Sequence, residues 1–204
     1  MTADAADEQP GPQRAYERPT PMSSAMLKAL ANPLRRNITN VLNRVEHARA
    51  ADLAEQLDVA ANTISFHLRV LADAGLIEEA PEFARDRRDR VWRPRKMGLE
   101  LGSPEHPIQD EDEMAGAAFT RLLVDEHNEL VRRFISWVPE YTRGRDGVAR
   151  GTLNQLNMKL THAEFVEVME KVTALFEDAK AAHDPADPDS HHWQIDIVAA
   201  DDTI

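Results

Sequence analysis

Asn62, Thr63, Ser65 and Arg69 place an amide, two hydroxyls and a guanidinium within one short segment. Between them Ile64, Leu68 and Leu71 recur at i, i+4 and i+7, the spacing of a single apolar stripe along a helix. If that stripe faces a core, the polar set turns to solvent together with Phe66. Amides, hydroxyls and guanidinium groups of this size bond the edges of base pairs in a DNA major groove, and an apolar ring can contact a thymine methyl. A second set follows downstream, where Arg85, Arg87, Arg88 and Arg90 crowd into one short stretch. Guanidinium groups so close together suit phosphate contact or insertion into a minor groove.

The elements that must position these side chains are legible on either side. Leu53, Ala54 and Leu57 mark a helix before the polar one. Asp58 tolerates the left-handed conformation of a tight corner, Val59 plugs that corner, and Gly75 suits a left-handed cap where the second helix stops. A two-helix corner is also how any small helical domain packs, so the following segment decides between the readings. Leu76–Glu82 alternates loosely and Val91-Trp92-Arg93 reads as a return strand, making a β-hairpin with the arginines at its tip. Asp86 and Asp89 dilute that tip and leave a solvated loop as the alternative reading. A helix pair followed directly by a basic hairpin favours DNA.

Leu30-Ala31-Asn32-Pro33-Leu34-Arg35-Arg36, Asp52-Leu53-Ala54, the run Thr63–Leu71 and Ala74-Gly75-Leu76-Ile77 together resemble the winged-helix regulators of the ArsR type. The stretch Arg90-Val91-Trp92-Arg93-Pro94 is similar to a subgroup common in actinobacteria. The resemblance spans residues 24–97, and it implies a dimeric repressor on a palindromic operator. The chain departs from the family pattern in three places. Ala50 and Ala60 stand where an N-capping Ser or Thr is common, so both helix starts are expected to be weakly capped. Phe66 stands where relatives often carry a polar base reader, and packing into the core or a dimer is the favoured alternative to a thymine contact. His67 is common at its position, with packing or a phosphate contact as its two readings and a structural role preferred. Ser65 is the first candidate for base contact.

The chain has 204 residues, a net charge of −12 and no cysteine, which removes disulfides and thiolate metal sites. The charge is uneven: residues 24–98 carry 13 Lys and Arg against 10 Asp and Glu, while residues 99–204 carry a net −13. DNA binding is thus expected to be local, with the acidic part turned away from phosphate. No apolar run approaches a membrane span and no signal core opens the chain, so a cytoplasmic location without membrane contact is expected.

Residues 1–22 read as a disordered tail and 23–98 as the winged domain. A helix begins at Ser23 or Ser24, then Asn32 as N-cap and Pro33 at the first helical position open the next. Arg35 and Arg36 sit where the helix dipole does not favour them, so a nearby phosphate or an ordinary solvated face would each account for them. Residues 99–112 read as a linker. Residues 113–137 form a long helix whose apolar face, from Met114 through Phe119 and Leu130 to Trp137, suits dimerisation, intrachain packing or both. Residues 139–151 form a loop, and Leu153–Leu160 a strand or short helix. Thr161 and Glu164 make a capping box for a helix to about Ala182. Trp193–Ala200 alternates as a strand that would pair with Leu153–Leu160. The fold expected is mainly α with small β: a winged helix-turn-helix, a long dimerisation helix and a C-terminal α+β extension over the rest of 113–204.

No phosphate loop, nucleophile elbow or hydrolase motif is present, and the acids are scattered, so an enzyme is not expected and no cofactor is assigned. Metal sensing is an alternative, but Asp125, Glu126 and His127 do not share one helix face, and His183, Asp184, His191 and His192 read as solvated loop residues. A small-molecule effector is a further candidate partner, in a pocket lined by Phe119, Trp137, Met158 and Phe165. A winged helix that binds protein without sequence-specific DNA contact is the third reading. The sequence favours double-stranded DNA and a second copy of the chain as partners.

Overall fold

The computed structural model describes residues 19–86, 90–184 and 187–204. These fall into two compact units, one made of Pro19–Thr152 with His192–Ile204 and the other containing Leu153–His191.

The larger unit opens on a two-residue strand β1 (Thr20–Pro21), then α1 (Ser24–Leu30) and α2 (Pro33–Val45). The expected helix starts are in place: Ser23 Oγ accepts from the Met26 amide at 3.2 Å and Asn32 Oδ1 from the Arg35 amide at 3.1 Å. Strand β2 (Ala48–Arg49) leads into α3 (Ala50–Leu57), and α4 (Ala61–Asp73) follows across the corner. Asp58 takes the left-handed conformation expected of it, with φ 52°. Gly75 ends α4 with φ 75°, where a Cβ would be strained.

Ile38 and Leu42 of α2, Leu53 of α3 and Ile64, Leu68 and Leu71 of α4 meet as fully buried side chains. Truncating one of them, as in Leu68→Ala, costs about 2–5 kcal/mol through lost transfer energy and the cavity left behind. Strands β3 (Ile77–Glu79) and β4 (Val91–Pro94) pair antiparallel, Glu78 opposite Arg93 and Glu79 opposite Trp92. The sheet has a third strand that the sequence reading lacked: β2 pairs with the other edge of β4, Ala48 opposite Trp92. Two residues are too few for periodicity to register. Pro94 closes β4, where its missing N–H costs no ladder bond.

Of the tail expected over 1–22, residues 1–18 lie outside the described residues, and Thr20–Pro21 forms β1, which pairs parallel with β5 (Leu99–Glu100). Residues 99–112 are likewise more than a linker. Ile108 packs so closely on Gly116 that a Cβ there would meet its Cδ1 at 3.0 Å. Asp112, 4% exposed, receives a hydrogen bond from Ser24 Oγ at 2.8 Å and an ion pair from Lys28 at 2.7 Å.

The long helix α5 (Glu113–Thr142) starts where the sequence places it and overruns the expected end, carrying Pro139 inside. A proline this near the end leaves one exposed carbonyl, that of Ile135, without a helical partner, which water can satisfy. The chain then folds back. Trp137 Nε1 donates to Asp146 at 3.0 Å, Arg150 pairs with the same carboxylate, and Trp137 stacks on Tyr141. Asp146 is held down to about 2 by Arg150, the Val148 amide and the Trp137 indole.

Trp193–Ala200 is not a strand. It has no ladder, and Trp193, Ile195, Ile197 and Val198 are all at least half exposed. Gln194 instead accepts from Arg133 of α5 at 2.9 Å. In the smaller unit Leu153–Leu160 forms no regular element, so the two strands expected of the extension are absent among the described residues. Alternation without a neighbouring edge to bond does not make a strand. The helix α6 (His162–Ala182) is as expected, with Thr161 Oγ1 accepting from the Glu164 amide and the Glu164 carboxylate accepting from the Thr161 amide at 2.7 Å.

Candidate nucleic-acid interface

The outer side of α4 is set by its inner side. Phe66 lies two residues from both Ile64 and Leu68, a rotation of about 200° from each, so burying those two sends it outward. Asn62, Phe66 and Arg69 are exposed, while Thr63 and Ser65 are half-buried at the flanks. Ser65 Oγ donates to the Ala61 carbonyl at 2.8 Å, which leaves its lone pairs free to accept. Asn62 Oδ1 accepts from the Thr63 amide at 2.9 Å, leaving its amide nitrogen outward.

Phe66 does not fold into the core: it is 56% exposed, and its ring meets His67 edge-on with centroids 5.3 Å apart and planes at 73°. His67 is half-buried, its Nδ1 has no hydrogen-bond partner among the described residues, and burial followed by the Arg35 charge lowers its pKa. The ring is thereby kept neutral, which suits packing better than phosphate contact.

The weak capping expected at both helix starts holds for one of them. Ala60 has no side chain to cap α4. The cap of α3 is Arg49, one residue earlier than expected, and Asp52 Oδ2 accepts from its amide at 3.1 Å while pairing with its guanidinium. That pairing pulls the Asp52 carboxyl below its ordinary value.

Arg35 and Arg36 are committed within the fold. Arg35 donates from Nε to the Ala29 carbonyl at 2.7 Å and from Nη2 to that of Lys28 at 2.8 Å, capping the negative end of α1. Arg36 grips Glu126 of α5 in a two-pronged pair at 2.8 and 2.7 Å and lies over the Phe119 ring at 5.6 Å. Their position near a helix start, which left phosphate or a solvated face open, reflects the end of the preceding helix for Arg35 and a partner 90 residues away for Arg36.

The hairpin stands directly after α4. Arg85 and Arg90 are exposed, and Arg90 approaches Glu79 at 3.6 Å. Arg87 and Arg88 lie outside the described residues. Arg93 pairs with Glu78 and Glu82, and Arg95 with Glu78, so the strands of the hairpin neutralise their own arginines. At its base His47 stacks on Phe83, centroids 3.9 Å apart, a contact between residues far apart in sequence that no local pattern announces.

Residues 30–80 match a family model described as a helix-turn-helix domain. With the hairpin on β3 and β4, this is a winged helix-turn-helix domain. Two of the sequence motifs fall on the expected elements, Asn32-Pro33 opening α2 and Thr63–Leu71 lying on α4. Helix-turn-helix domains commonly set their second helix in the major groove of DNA. No curated protein matches the chain. Among solved structures, one named "Possible transcriptional regulator for arsenical resistance" is 25% identical, covering 52% of this chain and 93% of its own, with a TM-score of 0.30. The YusO protein from Bacillus subtilis is 15% identical over 78% of this chain and 82% of its own, with a TM-score of 0.32. An ArsR family transcriptional regulator is 23% identical over 53% and 88%, with a TM-score of 0.29.

The other candidate sites fare differently. Phe119 is buried in the winged core, and Trp137 lies 18 residues further along the same helix. That separation is about 27 Å, so the two cannot line one small effector pocket. Met158 and Phe165 are exposed within the smaller unit. Among the described residues no group of three His, Asp or Glu could hold a metal ion, and Glu126 is occupied by Arg36 and Asn40. Likewise no described helix is long and apolar enough to cross a membrane.

Proposed function

We propose that the chain is a dimeric repressor that binds a palindromic operator with one α4 in each major groove, and that an effector releases or tunes it. The observation that carries this reading is the outward row Asn62, Phe66 and Arg69 on a helix whose opposite side is locked into the core, with a hairpin directly behind it. Asn62, Thr63, Ser65 and Arg69 read base edges, Ser65 through its free lone pairs. Arg85, Arg87, Arg88 and Arg90 contact backbone or minor groove. Dimerisation falls to α5, where Val124 and Ile135 are 51% and 57% exposed. A two-fold operator needs a two-fold protein, and a second copy packed on α5 would cover these exposed side chains. Part of the face assigned to dimerisation is used within the chain, because Phe119 packs in the winged core.

The test is fluorescence anisotropy of the full-length protein on DNA from upstream of its own gene, against scrambled DNA, over a salt series. Tighter binding to the upstream DNA with a steep salt dependence is expected. Equal, weak and salt-independent binding to both would overturn the reading in favour of a protein partner.

A further inference from the structure

We propose that Phe66 reads the C5 methyl group of one pyrimidine in each operator half-site; this rests on the DNA-binding reading of α4. Phe66 is the most exposed large apolar side chain of the winged domain, and it is the sixth residue of the helix assigned to the groove. Leaving such a ring in water is unfavourable unless a partner covers it. Its neighbours on the same helix face, Asn62 four residues before and Arg69 three after, are polar and exposed, so a protein surface packed there would bury an amide and a guanidinium with it. A base-pair edge suits all three at once, offering acceptors to Arg69 and Asn62 and a methyl group to the ring.

The ring is also held in place. Its edge-on contact with His67 braces one side, and His67 is half-buried. A braced ring keeps its outward direction without losing rotamer freedom on binding. In the major groove of DNA the apolar group that distinguishes one pyrimidine from another is the C5 methyl, present on thymine and on methylated cytosine and absent from cytosine. Phe66 thus selects for that methyl where a polar residue would select for a hydrogen-bonding edge.

The experiment starts from duplexes that the full-length protein enriches from a random library. In the best duplex each thymine is replaced in turn by uracil, which removes the methyl and nothing else. For the unaltered protein, one position per half-site is expected to lose about fourfold in affinity, the value of one buried carbon. In Phe66→Ala, whose site is exposed and whose fold is unaffected, the same replacement has no effect, and Phe66→Leu restores part of it. A second arm places 5-methylcytosine or cytosine opposite guanine at that position. Tighter binding to the methylated base would show that DNA methylation supplies the group as well as thymine; equal binding would assign the methyl to thymine alone. Uniform tolerance of uracil by a protein that still enriches a defined sequence overturns the methyl contact and leaves the DNA-binding reading standing. An equal loss in Phe66→Ala overturns it too, and no enrichment at all overturns both.

Discussion

Breaking the Arg36–Glu126 pair should loosen α5 from the winged domain without touching DNA affinity through charge. The pair is two-pronged, at 2.8 and 2.7 Å, with side chains 20% and 25% exposed, and Glu126 also accepts from Asn40 Nδ2 at 2.8 Å. An exposed pair contributes about 0–1 kcal/mol and losing one partner of a fully buried pair costs about 3–5 kcal/mol. Partial burial with good geometry places the coupling between those limits, at about 2 kcal/mol. Glu126→Ala alone costs more, because Asn40 and the Arg36 charge over Phe119 both lose their acceptor. A double-mutant cycle with Arg36→Ala isolates the pairwise part, read by urea unfolding. Trp92, 6% exposed in the sheet, makes a fluorescence probe local to the winged domain. A coupling energy below about 0.5 kcal/mol would refute the reasoning and reduce the pair to an ordinary surface contact. The same variants separate structure from binding: if Arg36 contacted phosphate, Arg36→Ala would flatten the salt slope by about one unit, whereas an unchanged slope is expected.

Gly75→Ala places a Cβ at φ 75° and should destabilise by about 1–2 kcal/mol in the same assay, with no loss of packing to blame because only Met26 Cε lies near. His67 has a lowered pKa, so the unfolded chain takes up the proton first; stability contributed by the neutral ring is present above the ordinary value of 6.5 and falls as pH drops below it. The melting temperature of His67→Gln should lose that part of the acid dependence. Asp146 gives the same sign at lower pH, through a charged form: its carboxylate contributes above the ordinary 3.8 and the contribution is lost as pH falls toward about 2, which Trp137 fluorescence would follow and Asp146→Asn would abolish. Ser65→Ala should relax base preference at one position with little loss of overall affinity. Arg85→Ala should weaken binding to all sequences alike and lower the salt slope by about 0.9 if it meets one phosphate.

What the sequence disclosed and what it hid divide along one physical line. Signals that act within a few residues were legible: the 64, 68, 71 stripe, the caps at Asn32 and Thr161, the left-handed Asp58 and Gly75. Each depends on backbone geometry that a residue imposes on its immediate neighbours. The misreadings concern partners that lie on another element. Arg35 and Arg36 look like free cations because Ala29, Lys28 and Glu126 are not visible from their own helix. Trp193–Ala200 alternates as a strand would, but alternation specifies only which side chains share a face; a strand also needs an edge to bond, and the segment forms no ladder among the described residues. Phe66 shows the same limit from the other side. Its residue type argued for burial, while the phase of its helix, fixed by Ile64 and Leu68, argued for exposure. The phase prevailed, because turning α4 to bury one ring would expose three aliphatic side chains that are now at most 1% accessible. An apolar ring kept at the surface by that balance has its affinity to spend on whatever the helix meets, which is why its partner, and not its packing, is the informative unknown of this domain.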